Sequence, residues 1–441
     1  MSAAREKLWS LIYPSDFRHN FIHTNGVKLH YVSVLQSTIK APNLVIFLHG
    51  WPDSWAVWHQ TLSSQQLREE CALISLDLPG YGGSADLAKY GPDEVLETVA
   101  QFIMQMREQY IDNDEDVERG RVIVVAHDWG GAIAYRLAAE APALADRFVI
   151  SNTFHPALAK SNFDSRLASA KLILHNWTKQ PSFAMKFRLL KKAAINLGPA
   201  FSQLKKSGYI FAFNLSMSII SRVGSVGDYT FFRLVCRLAN PHDEKPDGPE
   251  AAMVLATMLG PSTAQCQQSG KDNSFNSEDT YYDPSVAKRA PTAGWSTKIR
   301  LYREGLALGQ WTKSLELIAY LQDLEERQPS QAFAPHRRRP SVSSPIFDTA
   351  PKGALKSPTT VVWGERDRAI DCRIALDGIS EFMCRGSQVV YLKGVGHWVP
   401  HDPKGVQVLE RVISWSLNEE GGKGLKDAIA PFDYVKMTVE K

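Results

Sequence analysis

Hydrophobic and polar positions alternate with a period of two along Phe21-Ile22-His23-Thr24 and again from Val27 to Val32, with Asn25-Gly26 between the runs. Strict alternation marks a half-buried strand, and Asn-Gly suits a two-residue turn, so Asn20 to Leu35 predicts a β-hairpin. Further on, the pattern changes to short continuous apolar runs at Leu44 to Leu48, Ala72 to Leu76, Val122 to Ala126 and Phe148 to Ile150. Helix-like stretches lie between them, such as Glu94 to Tyr110 and Ala132 to Ala139. Parallel strands covered on both faces read in this way. Two more runs, Thr359 to Trp363 and Gln388 to Leu392, come late in the chain, and Gly405 to Leu417 predicts an amphipathic closing helix. The outer thirds therefore predict one α/β sheet, mostly parallel and flanked by helices.

Between about Phe154 and Ala354 the strand–helix alternation stops. Helical stretches separated by polar loops, including Ser269 to Asp283 and Gln328 to Pro345, replace it. Because both flanks supply strands of one type, the segment is expected to be a helical lid inserted over the carboxyl ends of the strands, where open α/β sheets bind ligands. The expected organisation is core over 1–153, lid over 154–354, core again over 355–420, and a loosely held tail over 421–441 that opens with Gly421-Gly422-Lys423-Gly424.

Composition narrows the class of protein. In 441 residues, 44% hydrophobic and 22% charged, there is room for one large core plus an insertion, and neither disorder nor a membrane-spanning bundle is indicated. A net charge of +3 without a basic stripe gives no reason to expect nucleic acid as a partner. The one dense cationic run, His336 to Arg339, sits among Pro and Ser and reads as an exposed loop. Cys71, Cys236, Cys266, Cys372 and Cys384 form an odd, scattered set without metal-ligand spacing, which suits reduced, buried thiols. Met1 to Asp16 lacks the apolar run of a signal peptide, and nowhere do 18 apolar residues follow one another, so a cytoplasmic protein without a transmembrane segment is expected.

The stretch that carries chemistry is Val122 to Gly131, VIVVAHDWGG: a buried strand turning into a helix with Asp128 at the turn. This is the shape of a nucleophile elbow, with a carboxylate in place of a hydroxyl. Ala126, Gly130 and Gly131 are small where strand and helix must close around the turn. Asp at such a position also caps helices, so the stretch alone does not decide. His49 to Ser54, HGWPDS, follows the strand Leu44 to Leu48, where an oxyanion hole is built in this architecture. The amides of Trp51 and Trp129 are its candidate donors. Asp77 to Ser84, DLPGYGGS, reads as an architectural turn. Late in the chain, Asp367 follows the strand ending at Trp363, and a glycine-hinged loop from Gly394 to Pro400 displays His397. A histidine oriented by a carboxylate can take a proton from water. Asp371 is a rival acid, with Asp367 preferred because it comes sooner after the strand. Nucleophile, acid, then histidine is the chain order of the α/β hydrolases.

Taken together, His49-Gly-Trp-Pro, Ala126-His-Asp-Trp-Gly-Gly and Gly396-His-Trp resemble the epoxide hydrolase branch of the α/β-hydrolase superfamily. The resemblance covers the core sheet and parts of the lid, and implies the α/β-hydrolase fold. Its motifs are shared with haloalkane and fluoroacetate dehalogenases. Two lid segments are similar to the tyrosine-bearing segments of epoxide hydrolases: SGYIFAFN, giving Tyr209, and IRLYRE, giving Tyr302. The resemblance implies that both phenols hydrogen-bond the epoxide oxygen, although each could equally be an amphipathic packing residue. It further implies a small-molecule epoxide and water as reactants, no cofactor and no metal, and His49, Trp51, Trp129, Tyr209 and Tyr302 around the substrate.

Haloalkane dehalogenases resemble this pattern but carry Asn directly after His-Gly, where this chain has Trp51; a lid tryptophan, Trp177 or Trp311, could substitute. A silent binding protein on the same fold is the third possibility. A serine esterase is disfavoured, since no Gly-x-Ser-x-Gly occurs and Gly224-Ser225-Val226-Gly227 has the wrong spacing. The chain also departs from the family pattern. The lid before Tyr209 is extended, about sixty residues separate Tyr302 from Asp367, and Gly208 stands where Trp is common. Oligomeric state is not legible in the sequence.

Overall fold

The computed structural model describes residues 2–11, 16–34, 43–111, 120–219, 230–239, 249–268, 281–327, 350–418 and 424–441. Its framework is a nine-stranded sheet in the order β1-β2-β4-β3-β5-β6-β7-β8-β9. Strands β1 (Arg18–Thr24) and β2 (Val27–Val34) form the antiparallel hairpin, paired from Arg18↔Ser33 to Thr24↔Val27. Asn25 and Gly26 turn it with φ of 51° and 72°, the left-handed pair that a tight hairpin turn requires. β2 pairs antiparallel with β4 (Ala72–Leu76). From β4 through β3 (Leu44–Leu48), β5 (Val122–His127), β6 (Arg147–Ser151) and β7 (Thr359–Gly364) to β8 (Gln388–Leu392), every pairing is parallel.

Every residue of β3, β4, β5, β6 and β7 is buried. Helices cover both faces of such strands, which is why their sequences are continuous apolar runs and not alternations. The covering helices are the long one over Pro92–Tyr110, the elbow helix (Asp128–Glu140) and the closing helix (Pro403–Leu417). Each begins one or more residues before its predicted start, because Pro92 and Pro403 occupy first-turn positions where a proline needs no partner for its missing N–H.

Between Ser151 and Thr359 the described residues contain helices and loops and no strand. A first lid helix (Pro156–Lys179) and a second lid helix (Phe183–Ser207) pack on each other, and shorter helices follow, among them Tyr209–Phe213 and Pro249–Leu259. Lid rings reach the carboxyl ends of the strands: Tyr209 stacks on Trp51 just beyond β3, and Tyr302 meets Trp129 just beyond β5. The expected loops at Ser269 to Asp283 and Gln328 to Pro345 lie outside the described residues, apart from 281–283, as do His336 to Arg339 and Gly224 to Gly227.

Two features went beyond the sequence pattern. The amino-terminal helix (Ser2–Trp9) docks on the lid helix Pro249–Leu259, with Trp9 fully buried and its Nε1 donating to the Ala256 carbonyl at 3.4 Å. At the other end, the expectation of a loosely held tail over 421–441 is corrected for the residues described. Leu425–Ile429 is a helix with Leu425 and Ile429 buried, and β9 (Val435–Glu440) closes the sheet antiparallel to β8. The reason is a period-two pattern: Val435, Met437 and Val439 are half-buried, and Lys436, Thr438 and Glu440 are exposed. The glycine run before it drew attention away from that alternation.

Candidate active site

The bend between β5 and the elbow helix puts Asp128 at φ 48°, a left-handed conformation that a non-glycine residue holds only when its surroundings enforce it. Those surroundings are tight. A methyl group on Gly50 would run into the Asp128 side chain, and one on Gly130 would meet the carbonyl oxygens of Leu48 and His49. The two loops leaving β3 and β5 are thus pressed together, and the Trp51 amide donates to Asp128 Oδ2 at 2.9 Å. The Trp129 amide bonds the same carboxyl group. Burial raises the Asp128 pKa above its ordinary value, while His397 and these two amides act in the opposite direction.

His397 lies on the loop after β8, with Nδ1 2.8 Å from Asp367 Oδ2 and Nε2 3.7 Å from Asp128 Oδ1. An Nδ1–H donated to Asp367 leaves the Nε2 lone pair facing Asp128. Burial acts to lower the His397 pKa, yet the charge and hydrogen bond of Asp367, together with Asp128, outweigh it and hold the imidazole above its ordinary value. The loops after β7 and β8 can meet because Gly364 leaves space for the Gly396 carbonyl.

Asp367 is received by four donors. Its Oδ1 accepts from the amides of Ala369 at 2.7 Å and Ile370 at 2.8 Å, and its Oδ2 from His397 and from Asn152 Nδ2 at 2.6 Å. Asp371, the rival, faces away into an ion pair with Arg373 at 2.7 Å. Burial there is outweighed by hydrogen bonds from Arg373 and Ser202, which hold its carboxyl at about 2.

Several contributors were not singled out in the sequence. Asn152, at φ 38° immediately after β6, donates to Asp367 and accepts from the Gly364 amide at 2.7 Å, so it ties the ends of β6 and β7 together. The signal for it was position: a polar residue just past the carboxyl end of a central strand. Lys206 of the second lid helix donates to the carbonyls of Asp367 at 2.6 Å and Ile370 at 2.8 Å, and Gln203 to that of Ala369 at 3.1 Å. No local pattern announces contacts of that kind. Lys298 is fully enclosed, donating to the carbonyls of Pro52 at 2.7 Å and Met258, and burial brings its pKa down to about 7.

The two lid tyrosines come together over the strand ends. Both rings pack on Trp51 and Phe213. Tyr209 lies parallel to Trp51 at 5.9 Å, and Tyr302 stands edge-on to Trp129 at 4.8 Å. Burial first, then neighbouring charge from Asp128, raises both phenol pKa values well above the ordinary one, so both rings remain protonated donors at neutral pH.

His49 corrects an expectation. The resemblance implies a place for it beside the substrate, but it is fully buried, with Nδ1 2.8 Å from the Gly50 carbonyl and Nε2 accepting from the Leu78 amide at 3.0 Å. Both nitrogens are thus used in pinning the turn that carries Trp51. Burial lowers its pKa to about 4, so the ring is neutral there. Of the lid tryptophans, Trp311 Nε1 donates to Glu97 at 3.0 Å, while Trp177 lies near the end of the first lid helix under the Lys186 ammonium with its Nε1 unpartnered.

A carboxylate at a strained elbow, a paired histidine and acid, and two amides at strand ends define the class of molecule: an α/β-hydrolase fold whose elbow residue is aspartate. Residues 45–214 match the family described as "Alpha/beta hydrolase family". Among curated proteins, the chain is 28% identical over 153 residues to Epoxide hydrolase 2 of Caenorhabditis elegans, covering 33% of this chain and 39% of that protein. It is 29% identical over 161 residues to the soluble epoxide hydrolase of Corynebacterium sp. (strain C12), covering 36% of this chain and 50% of that one. These matches span at most about half the length of either relative. Among solved structures, the Cif epoxide hydrolase from Acinetobacter nosocomialis superposes with a TM-score of 0.52 at 13% identity, covering 94% of this chain and 95% of that one. A second, from epoxide hydrolases in metagenomes of hot environments, gives 0.51 at 18% identity, covering 91% and 98%. At these identities the structural likeness establishes the α/β-hydrolase fold. Among the described residues no helix is long and apolar enough to cross a membrane.

Proposed function

We propose that the chain is an epoxide hydrolase that opens a small-molecule epoxide to a vicinal diol through an ester on Asp128. The observation that carries this reading is the pair of lid phenols, Tyr209 and Tyr302, packed on the same two tryptophans, Trp51 and Trp129, that flank the Asp128 carboxylate. An alkoxide is a poor leaving group unless a donor meets it as it forms, and a carboxylate facing two neutral phenols supplies attacker and donor from opposite sides.

In the first step an Asp128 oxygen bonds an epoxide carbon, the carbon–oxygen bond of the ring breaks, and the leaving oxygen takes a proton from one tyrosine. A hydroxyalkyl ester and a tyrosinate result. In the second, His397 Nε2 takes a proton from water as the water oxygen adds to the ester carbonyl. The negative charge on that carbonyl oxygen falls to the amides of Trp51 and Trp129. Collapse expels the diol oxygen, which receives the proton held by His397; the proton released as the Asp128 carboxylate re-forms restores the tyrosine. Ester formation removes the Asp128 charge that helps raise the His397 pKa, which favours the neutral imidazole at the step where it must act as base. No cofactor or metal enters either step.

A halide leaving group fits less well. The position directly after His-Gly is Trp51, not Asn, and Trp311, one of the two lid tryptophans that could substitute, already donates to Glu97. The test is intact-mass spectrometry of the His397→Gln variant incubated with an epoxide: the expected result is a protein heavier by the mass of the substrate. Asp128→Ala should show no adduct, and Tyr302→Phe in the His397→Gln background should acquire it on the order of 100-fold more slowly. No adduct on His397→Gln, or halide release from haloalkanes without diol from epoxides, would overturn the reading.

A further inference from the structure

The second lid helix carries a stripe of large apolar side chains turned to solvent. Phe183, Phe187, Leu190, Phe201 and Leu204 fall at offsets of 0, 4, 7, 18 and 21 from Phe183, a spacing that keeps them on one face of an α-helix, with Ala194 and Leu197 filling the gap. Their exposures are 86%, 65%, 42%, 61% and 41%. Of the helix's own buried positions, Pro199 lies opposite the stripe, and Ala193 and Ala200 border it along one edge. A face of this size on a soluble protein marks a contact surface.

Charge says what the contact is with. Of the 50 Lys and Arg in the chain, ten fall within the two lid helices, Pro156–Lys179 and Phe183–Ser207, whereas of the 47 Asp and Glu only Asp164 does. The rest of the chain is therefore net acidic, and the two lid helices are a cationic segment within it. Lys171, Lys179, Arg188, Lys191, Lys192 and Lys205 are all exposed. A second copy of the chain would bring this cationic surface against itself. A partner helix would need a groove, and rings exposed by 65% or more form a ridge. Apolar rings on a ridge flanked by ammonium groups fit an interface in which the rings enter an acyl layer and the cations stay among anionic headgroups.

We propose that the second lid helix is a docking face for an anionic lipid bilayer, lying in the plane of the headgroups without crossing the membrane. The same helix holds the acid loop through Lys206 and Gln203 and leads directly into Tyr209, so docking sets the roof of the site against the bilayer.

The experiment is co-sedimentation of the full chain with unilamellar vesicles of phosphatidylcholine, alone or with about 30 mol% phosphatidylserine. Partitioning onto the anionic vesicles should be at least about tenfold stronger than onto phosphatidylcholine alone, and should fall as salt screens the charges. Phe187→Ser/Phe201→Ser should lose on the order of tenfold of that binding, and Lys191→Glu/Lys205→Glu should lose the preference for phosphatidylserine. Asp128→Ala should bind as the parent does, which separates this inference from the proposed chemistry. Equal sedimentation with and without vesicles would overturn it. So would a lipid-free dimer, seen by light scattering, that Phe187→Ser/Phe201→Ser converts to monomer, or capture of an acidic amphipathic peptide with the vesicles left unbound.

Discussion

The central strands and the lid hairpin use the same kinds of residue to opposite ends. Five consecutive strands of the sheet bury every side chain they carry, while the two lid helices, 24 and 25 residues long, bury three residues each. The charged atoms of the site come from the first region: Asp128, Asp367 and His397 stand at strand ends, the first held by the Trp51 amide, the second by two amides and Asn152, and the third by Asp367. The phenols come from the second. Charge has to be placed to within a few tenths of an ångström, since electrostatic terms in a buried site change steeply with distance. A phenol that donates to an oxygen can come from an element that repacks around its substrate.

The largest effect that would sharpen this difference is Asp367→Asn. All four partners of this carboxylate are donors, so any orientation of an asparagine amide sets a donor against a donor. His397 would lose both its tautomer and its main source of positive stabilisation. The expected fall in kcat is on the order of 1,000-fold or more. Because Asp367 is what raises the His397 pKa, the acidic limb of the remaining pH–rate profile should move to lower pH, toward and below the ordinary histidine value of about 6.5. A profile that loses height without moving would mean that the orienting group of His397 lies elsewhere.

The two regions also differed in how much of them could be read from the sequence. Strands β3, β4 and β8 match their apolar runs residue for residue, because a strand covered on both faces leaves no choice about composition. Asp128, Asp367 and His397 were legible because strand ends near the sheet centre are few and the chain order is fixed. Tyr209 and Tyr302 were legible only through a family resemblance: nothing in the spacing of two tyrosines 93 positions apart says that they touch. His49 was misassigned because motif residues serve either the substrate or the turn, and only the partners of Nδ1 and Nε2 tell which. Asn152 and the Lys206 clamp depend on tertiary approach alone.

Next in size is a comparison made on one residue type. Phe148 on β6 is fully buried, so Phe148→Ala removes a large ring from a close-packed layer and leaves a void. The expected cost is about 3–5 kcal/mol of unfolding free energy, measured by urea denaturation, with the catalytic activity of the remaining folded fraction largely retained. A cost below 1 kcal/mol would mean that the layer collapses into the space and that the sheet is less rigid than its burial implies.

The smallest effect belongs to Phe183→Ala, the same change made at the start of the second lid helix. Phe183 is 86% exposed, so almost no apolar area is returned to water when it is removed. Ser182 still caps the helix through the Met185 amide, and alanine is the better helix former. The two terms leave a change within about 0.5 kcal/mol, with the sign toward stabilisation. If urea denaturation instead showed a loss above 2 kcal/mol, the ring would have to be packed against something in solution. The hairpin would then be part of the core's own packing, and neither the contrast between the two regions nor a free docking face would stand.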